Sequence, residues 1–501
     1  MGARTGQQLL AAMRTSREIW VGGEKVSDVV SHPAFSGAAQ TLAQIFDLQH
    51  TAAADCLMPD PETGEPIAVS HMIPRSREDL ERRHRGLQRI AEFTVGLMGR
   101  TPDYMNVTYA GFAGRADEWA IGGNERGAAN LVEYQKVLAR QDLSLTHTIV
   151  HPTIDKSKGD APQPGNEVAL HKVADTAYGM VVRGSRILAT LAPFADEIAI
   201  YPGMPLPEGA DDYALSFCIP LSTPGLKFLC RDSCSVPGSR FDHPLSSRFD
   251  EQDAFVIFDD VEVPRDRIFI NANSKAYNSV MTTGWYPNIM QQTMIRAQTK
   301  LEFAYGLGLR MAETINDVSP ATNQMLGEIW TYAEFARAAV HSAETDSFEY
   351  GNGVWFPNGG PLAALRAALP TWFPRVAEII TLIGSHNLLA TPTESQLKDP
   401  DLRDLLGRYL CGANGVGAED RARVFRLAWD FAGSALAGRN ELYERFYLAS
   451  GARNYQLANT LARRERALGL VDQMMSPGSE FKSKRVESPR QIVNLPRPRG
   501  L

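Results

Sequence analysis

The chain has few cysteines for its length. Its 501 residues include five, at Cys56, Cys218, Cys230, Cys234 and Cys411, and apart from one C-x3-C pair they are scattered. A disulfide scaffold needs many cysteines in a short chain, and a structural zinc site needs about four ligands, whereas no second pair with suitable spacing occurs. The cysteine content therefore favours a reducing, cytoplasmic location and no metal site.

Long apolar runs and excess basic charge are also missing. No run of about twenty apolar residues occurs, and residues 1–8 lack the apolar core of a signal peptide, so we expect no membrane partner. The formal net charge is −7. A chain that binds nucleic acid normally carries clustered excess lysine and arginine, so we expect no nucleic-acid partner either.

Several catalytic motifs are absent as well. No G-x-G-x-x-G string follows a predicted strand, which leaves no evident place for NAD(P)H. Neither G-x-S-x-G nor H-E-x-x-H occurs, which disfavours the common hydrolases. No repeat of about twenty to fifty residues is present either, which disfavours a non-catalytic helical scaffold.

The amino-terminal region has a helical pattern, in a chain whose length predicts two or three domains. Apolar residues recur mostly at three- and four-residue steps, and the pattern predicts helices over 6–18, 38–50, 77–96 and 130–141. The third of these runs ends at Gly96 and Gly99, where the backbone can turn and deliver Arg100 to the next segment.

From residue 144 to about 270 the period changes to that of strands. Residues 145–151 alternate, and residues 180–190 resemble a hairpin with its turn at Gly184-Ser185. Runs at 213–221, 226–231 and 254–263 add further strands, so we expect a barrel or sandwich of about six to eight strands. Residues 201–212 contain three prolines and two glycines, which predicts a loop.

Long helical patterns return after Pro264 and indicate an antiparallel bundle. They cover residues 287–316, 321–349, 362–384, 402–410, 418–433 and 454–475. Residues 476–501 are rich in proline and basic residues, which is typical of an extended tail. We therefore predict an α+β chain with a mainly helical domain at 1–143, a β-domain at 144–272, a helical bundle at 273–475 and a tail at 476–501.

Arg100, Tyr104 and His147 are the main candidates for chemistry. A guanidinium can hold an anionic oxygen, while a phenol and an imidazole can exchange protons beside it. By spacing alone, Arg100 and Tyr104 could equally be a structural pair, and His147 a strand histidine with a satisfied hydrogen bond.

Six strings, in this order and spacing, resemble the oxygenase component of the 4-hydroxyphenylacetate 3-monooxygenase family. The resemblance covers most of the chain. The strings are Arg17-Glu18-Ile19-Trp20, His32-Pro33-Ala34-Phe35, Gly99-Arg100-Thr101-Pro102-Asp103-Tyr104, the stretch from Thr146 to Asp155, Ser246-Ser247-Arg248-Phe249-Asp250-Glu251 and Gly438-Arg439-Asn440-Glu441-Leu442-Tyr443-Glu444.

The resemblance implies an acyl-CoA dehydrogenase-like fold, with a helical domain, a central β-barrel, a four-helix bundle and a flavin at their junction. It also implies a homotetramer or homodimer that hydroxylates a phenol with O2 and with FADH2 made by a separate NAD(P)H:flavin reductase. Halogenated, nitro, tyrosine-derived and carrier-bound phenols all remain possible substrates. A 4-hydroxybutyryl-CoA dehydratase shares the fold but needs an iron–sulfur cluster, for which the cysteines are not placed.

The resemblance assigns roles to individual residues. Arg100 and Tyr104 would hold the phenol oxygen, and His147 would accept its proton, although Leu97 replaces a tryptophan common in relatives. The flavin positions are His151, Pro152, Asp155, Thr190, Arg296, Asn414, Gly415 and Arg439. His151 departs from the usual asparagine, Thr190 could be an ordinary strand residue, the two glycine-bearing turns could be simple helix stops, and Arg296 could be a solvated helix arginine.

Overall fold

The computed structural model describes residues 2–158, 161–236, 239–280, 285–462 and 464–475. The expected order of helical region, sheet and helical region is confirmed. The amino-terminal helices are α1 (Gly6–Met13), α2 (Ser36–Thr51), α3 (Ala53–Cys56), α4 (Arg77–Phe93), α5 (Pro102–Gly114), α6 (Ala116–Trp119) and α7 (Glu125–Gln141).

The strands before and within the central region are short, apart from two of twelve residues. They are β1 (Glu18–Val21), β2 (Glu24–Lys25), β3 (Leu57–Pro59), β4 (Pro66–Ala68), β5 (Leu145–Thr148), β6 (His171–Asp175), β7 (Gly179–Thr190), β8 (Glu197–Ile200), β9 (Leu215–Pro220), β10 (Leu226–Cys230), β11 (Asp253–Pro264) and β12 (Ile268–Asn271).

The carboxy-terminal region is helical, apart from the hairpin of β13 (Phe348–Gly351) and β14 (Val354–Phe356). Its helices are α8 (Ser274–Val280), α9 (Trp285–Ile315), α10 (Pro320–Thr345), α11 (Gly359–Gly384), α12 (Asn387–Ala390), α13 (Glu394–Lys398), α14 (Arg403–Tyr409), α15 (Ala418–Ala432), α16 (Ala435–Phe446), α17 (Gly451–Thr460) and α18 (Arg464–Met475).

The central sheet has ten strands in the order β12-β9-β8-β5-β7-β11-β10-β1-β2, with β6 paired to β7. Strand β1 pairs in parallel with β10, and β2 pairs with β1. The amino-terminal segment therefore completes the sheet, although residues 1–143 were expected to be mainly helical. The first predicted helix is correspondingly shorter, because α1 ends at Met13 and Glu18 begins β1. The division into domains stays a prediction.

The hairpin expected at Gly184-Ser185 is wrong, because β7 runs unbroken from Gly179 to Thr190. Gly184 has a φ of +115°, and a Cβ placed on it would lie 2.5 Å from the carbonyl oxygen of Ala169. The next residue, Ser185, accordingly donates its backbone N–H to the Val168 carbonyl at 2.8 Å. The glycine permits a close approach of two backbones within a strand rather than a chain reversal.

Helix α5 carries Tyr104 and was not predicted. It begins with Pro102 at its first position, where the missing N–H costs nothing, and nearly all of its residues are buried. A helix that is buried on all sides has no polar face, so its sequence lacks the periodic pattern that reveals an amphipathic helix. It packs against α9 and α7, and so places Tyr104 inside the molecule.

Helices α9, α10, α11 and α15 pack against one another as a four-helix bundle, in agreement with the expected fold class. Helix α9 also packs on α4 and α5, which joins the bundle to the amino-terminal region. The single helix predicted at 454–475 is wrong, since α17 ends at Thr460 and α18 begins at Arg464. The tail predicted at 476–501 lies outside the described residues. Within the described ranges, no helix combines the length and apolar character that crossing a bilayer requires.

Candidate active site

The turn between α4 and α5 delivers Arg100 and Tyr104. Gly96 has a φ of +69°, and a Cβ there would lie 2.5 Å from the carbonyl oxygen of Arg296 on α9. Only glycine fits both this conformation and this close approach. Arg100 then stands just before α5, and Tyr104 lies in its first turn, so the two side chains emerge close together.

His147 is fixed by the strand that carries it. Its two neighbours donate their hydroxyl groups to carbonyls of β7, Thr146 to Thr190 and Thr148 to Ile187, each at 2.6 Å. Side chains alternate along a strand, so His147 points to the opposite face. The two threonine hydroxyl groups thereby hold β5 against β7 and set the direction of the imidazole.

The structure brings Arg100, Tyr104 and His147 together. The guanidinium carbon of Arg100 lies 4.0 Å from the centroid of the Tyr104 ring. The Tyr104 ring in turn stacks on the His147 imidazole, with centroids 5.3 Å apart and planes 15° from parallel. Cation, phenol and imidazole thus form one continuous stack.

Sequence reasoning missed the aromatic side chains on the other side of His147. Tyr201 stacks on the imidazole at 5.4 Å, and its ring meets Phe112 at 5.5 Å and Trp285 at 6.2 Å. Tyr201 is the first residue of the predicted 201–212 loop. Its place directly after β8 was the only feature of the sequence that could have pointed to a position beside His147. These rings exclude water from one side of the site.

The protonation states follow from burial. Burial, with the charge of Arg100 as a smaller cause, holds the pKa of His147 well below its usual value, so the imidazole is neutral and its unprotonated nitrogen can accept a hydrogen bond. Nη1 of Arg100 is buried and has no hydrogen-bond partner among the described residues. A neutral base therefore lies beside an unsatisfied cationic donor, which suits a ligand with an ionisable hydroxyl group.

A frame of carboxylates links Thr190 and Arg439 to Arg100. Glu251 accepts the backbone N–H of Arg100 at 2.6 Å and pairs with Arg439 at 2.9 Å. Asp253 pairs with Arg439 at 2.7 Å and accepts the hydroxyl of Thr190 at 2.7 Å. Burial is the largest single influence on the pKa of Asp253 and would raise it, but the charges and hydrogen bonds of Arg439 and Arg231 together outweigh burial and hold that pKa well below its usual range. Arg439 is thus engaged by two carboxylates.

Arg296 is buried and paired rather than solvated. Its guanidinium donates two hydrogen bonds to Glu444, at 2.7 and 3.0 Å, one to the hydroxyl of Tyr447 at 3.0 Å and one to the carbonyl of Gly96 at 2.9 Å. The Tyr447 ring lies 5.0 Å from the Arg100 guanidinium. Arg296 therefore supports the turn and the ring that position Arg100.

The remaining candidates lie outside this cluster. His151 is buried after the end of β5, with Nδ1 unpartnered among the described residues, whereas Pro152 is half-buried and Asp155 is exposed and bonded to Ser157. Burial, then the charge of Arg186, lowers the pKa of His151 to about 2.

Asn414 and Gly415 form an exposed turn between α14 and α15. The neighbouring Ala413 donates its N–H to the carbonyl of Thr314 at 2.9 Å, close to the carboxy-terminal end of α9. Thr314 is eighteen residues along α9 from Arg296, or about 27 Å at the rise of an α-helix. The structure therefore does not bring this turn and Arg296 together within one chain, and the flavin contacts assigned to Asn414 and Gly415 stay a prediction.

Comparison with known proteins identifies relatives over nearly the whole chain. Two family models match the chain in succession, "4-hydroxyphenylacetate 3-hydroxylase N terminal" over residues 5–270 and "4-hydroxyphenylacetate 3-hydroxylase C terminal" over residues 276–476. The oxygenase component of 4-hydroxyphenylacetate 3-monooxygenase from Thermus thermophilus is 37% identical, over 92% of this chain and 95% of that protein. The oxygenase component of 4-nitrophenol 2-monooxygenase from a Rhodococcus species is 32% identical, over 88% and 85%.

Solved structures agree. A crystal structure of the oxygenase component of 4-hydroxyphenylacetate 3-monooxygenase, complexed with FAD and 4-hydroxyphenylacetate, superposes with a TM-score of 0.89 at 36% identity, over 94% of this chain and 98% of that one. An archaeal 4-hydroxybutyryl-CoA dehydratase has a TM-score of 0.86 over 96% of each chain but only 18% identity, which is a likeness of fold alone.

The fold and the buried Arg–Tyr–His cluster define the oxygenase component of a flavin-dependent monooxygenase, with FAD as cofactor. Within that class, the chain belongs to the 4-hydroxyphenylacetate 3-hydroxylase family.

Proposed function

We propose that this chain hydroxylates a phenol at the carbon next to its hydroxyl group, using O2 and FADH2. The observation that carries the proposal is the stack of Arg100, Tyr104 and neutral His147, since an ionisable ring hydroxyl would satisfy the buried Nη1 of Arg100. Arg100 and Tyr104 bind the phenol oxygen, and the His147 imidazole takes its proton. The resulting phenolate character makes the neighbouring ring carbon more nucleophilic.

The residues around β5 and β7 fit a flavin. Thr190 donates its hydroxyl hydrogen to Asp253, so its oxygen keeps lone pairs that can accept an N–H from a reduced flavin ring. Nδ1 of His151 is buried without a partner among the described residues, and can bond to a ring carbonyl. When bound, reduced FAD together with O2 supplies the electrophilic oxygen atom, while the protein provides orientation and a dry site.

Three aromatic side chains keep water away from the site and limit where the substrate ring can lie. Tyr201 stacks on His147, and Phe112 and Trp285 pack against Tyr201. Burial raises the pKa of the Tyr201 phenol well above its usual value, so this hydroxyl group remains protonated and can donate a hydrogen bond but not a negative charge. Arg100 is therefore the group of the stack whose charge can stabilise a phenolate oxygen of the substrate.

The test uses chemically reduced FAD, so that no other protein is needed. Mixing the purified chain with FADH2 and 18O2 in the presence of 4-hydroxyphenylacetate, 4-nitrophenol or tyrosine-derived phenols should give a catechol or quinol that carries one 18O atom. The corresponding ring compounds without the hydroxyl group are the matched controls and should not react. If no phenol gives 18O-labelled product although the protein binds FAD, the proposal is wrong.

The proposal includes a separate NAD(P)H:flavin reductase as partner. It is supported by the absence of a G-x-G-x-x-G string after a strand and by the word "component" in the names of the relatives. The chain would then take up FADH2 that diffuses from the reductase, in the cytoplasm, where its five free cysteines would stay reduced.

We also propose a homotetramer or homodimer. Large apolar side chains are exposed on the carboxy-terminal helices, among them Trp330 and Phe335 on α10 and Leu442 and Phe446 on α16. Association of copies would bury such faces. It would also allow the Asn414-Gly415 turn of one copy to approach a flavin held by another, although it lies far from Arg296 in its own chain.

A further inference from the structure

Arg186 on β7 is a buried cation without a counter-ion. Its relative exposure is 0%, and Nη1 donates a hydrogen bond to the carbonyl of Ile149 at 3.1 Å. Nε and Nη2 have no hydrogen-bond partner among the described residues, and no carboxylate of the described chain lies within ion-pair distance. Leaving such donors unsatisfied in the interior is costly, so the site calls for an acceptor.

Other buried arginines are compensated differently. Arg296 and Arg439 are each paired with carboxylates. Arg83 has unpartnered nitrogens too, but the charges of Glu344 and Asp79 act on it. Of these four residues, only Arg186 has no nearby carboxylate to oppose its charge.

The position of Arg186 connects it to the phenol stack. Ile149, whose carbonyl it contacts, lies two residues beyond His147, or about 7 Å along an extended chain. A benzene ring with a short substituent has a comparable length. A ligand whose hydroxyl group meets His147 can therefore extend toward Arg186.

Two further groups surround this position. Gly203 of the 201–212 loop packs on Ile149 and donates its N–H to the hydroxyl of Tyr277 at 3.4 Å. That neutral hydroxyl is also a hydrogen-bond neighbour of the Arg186 guanidinium, but it brings no negative charge to balance it. His151, with its unpartnered Nδ1, is close enough for the charge of Arg186 to lower its pKa. The 201–212 loop, the segment after β5 and helix α8 thus all lie close to the Arg186 guanidinium.

We propose that Arg186, with Nδ1 of His151 beside it, forms a binding site for an anionic oxygen within the active site. The inference rests on the proposed function. The oxygen comes either from a carboxylate that the phenol carries opposite its hydroxyl group or from an acceptor oxygen of the flavin. In both cases the guanidinium supplies two N–H groups to one ligand, as arginine does for carboxylates and phosphates.

Equilibrium binding tests the site without turnover. Arg186→Gln is compared with Arg183→Gln, which removes an arginine of the same strand whose side chain is 53% exposed and paired with Asp260. The ligands are FAD, by fluorescence quenching, and two phenols of equal size, 4-hydroxyphenylacetate and its neutral amide, by anaerobic equilibrium dialysis with FADH2.

A substrate carboxylate at Arg186 predicts that Arg186→Gln raises the Kd of the acid at least tenfold and leaves the amide and FAD unchanged. A flavin oxygen there predicts a tenfold rise in the Kd of FAD, with both phenols affected alike. Arg183→Gln should match wild type throughout. If Arg186→Gln binds all three ligands as wild type does, the donors are satisfied by buried water alone and the proposal is wrong.

Arg186→Lys covers the case in which the glutamine variant does not fold. It keeps the charge but lacks the fork of donors, so one of the same ligands should bind at least threefold more weakly, and wild-type affinity for all of them would overturn the site. The subsite and the proposed function fail separately. If wild type gives labelled product and Arg186→Gln binds every ligand normally, only the subsite is refuted. If Arg186→Gln binds FAD more weakly but wild type hydroxylates no phenol, only the phenol chemistry is refuted.

Discussion

Arg100 combines a buried, unsatisfied nitrogen with a close aromatic neighbour, and His147 completes the stack. We expect Arg100→Ala, Tyr104→Phe and His147→Ala each to lower kcat/KM for the phenol by about 30-fold to 1000-fold, or about 2–4 kcal/mol. The reason is that each removes a contact to charge that develops in the transition state. Steady-state kinetics with excess FADH2 measures the effect.

Circular dichroism and Tm provide the control, since the substitutions should leave the fold intact. Near-wild-type turnover in Arg100→Ala would contradict the assignment of the phenol site.

The two buried histidines predict how stability depends on pH. Both have a folded pKa below the unfolded value of about 6.5, so the unfolded chain binds more protons and stability falls as the pH drops below about 6.5. One such histidine costs about 2 kcal/mol at pH 5. His151→Asn should therefore show a smaller fall in Tm between pH 7 and pH 5 than wild type.

His341→Asn, at an exposed position on α10, is the matched control and should lose as much Tm as wild type. An equal fall in His151→Asn and wild type would show that His151 is not buried in its neutral form.

The three members of the stack could be named because the strings that contain them resemble those of a known family, whereas their spacing alone left a structural role equally open. Their supports could not be named. Glu251 and Asp253 reach Arg100 and Thr190 from a distant part of the chain, and no local pattern shows which carboxylate will meet which arginine. The pairing follows from the tertiary fold, so Arg439 could be named as a charge near the site but not as part of this frame.

At the scale of elements, α16 presents a stripe of side chains beneath Arg100. Arg439, Tyr443 and Tyr447 recur every four residues, and the two tyrosine rings stack at 4.4 Å. Their rings lie 5.7 and 5.0 Å from the Arg100 guanidinium. The spacing was visible in the sequence as one face of a helix, but nothing local indicated that this face meets Arg100.

Substitutions of Tyr443 can test its ring and its hydroxyl group separately, because the hydroxyl group has no hydrogen-bond partner among the described residues. We expect Tyr443→Phe to keep nearly normal kcat/KM and Tyr443→Leu to lose about 3-fold to 30-fold, since only the leucine removes the cation–π contact, worth about 0.5–2 kcal/mol. Steady-state kinetics of both variants at saturating FADH2 measures kcat/KM for the phenol and tests this expectation. Equal activities in the two variants would show that the ring does not position Arg100.

The 201–212 loop should determine which phenol is preferred. It begins at Tyr201 against His147 and continues through Gly203 over Ile149, so it borders the site, and loops on rigid scaffolds often carry specificity. Replacing it with the loop of the 4-nitrophenol relative should change the ratio of kcat/KM for 4-nitrophenol and 4-hydroxyphenylacetate. An unchanged ratio in a folded exchange variant would assign the selection to other residues.

At the scale of the whole molecule, the order of helices, sheet and helices was predictable because the hydrophobic period changes at residues 144 and 270. The composition of the sheet was not. Strands β1 and β2 have four and two residues, which is too short for a period, and the partner of β1 follows about 200 residues later.

The whole chain should also be unable to use NADH by itself. We expect no oxygen uptake with NADH, FAD and a phenol, and activity once a flavin reductase is added, because the chain has no evident dinucleotide-binding turn. An oxygen electrode records both conditions, and chemically reduced FAD is the positive control. Steady oxygen consumption with NADH and the purified chain alone would reveal an unrecognised nicotinamide site.

The parallel pairing of β1 with β10 has a consequence for synthesis. The ribosome makes β1 first, yet its partner follows only after about 200 further residues, so the closure of a very long loop precedes completion of the sheet. Until β1 docks, the unpaired backbone of Leu226–Cys230 is a template for strands of other chains. On this side of the finished sheet the outermost strand is Glu24–Lys25, which is short and charged, and these two properties discourage such addition. The first twenty-five residues thus cover the free side of β10 with a short, charged edge, and we expect a chain that lacks them to aggregate more readily than the full chain.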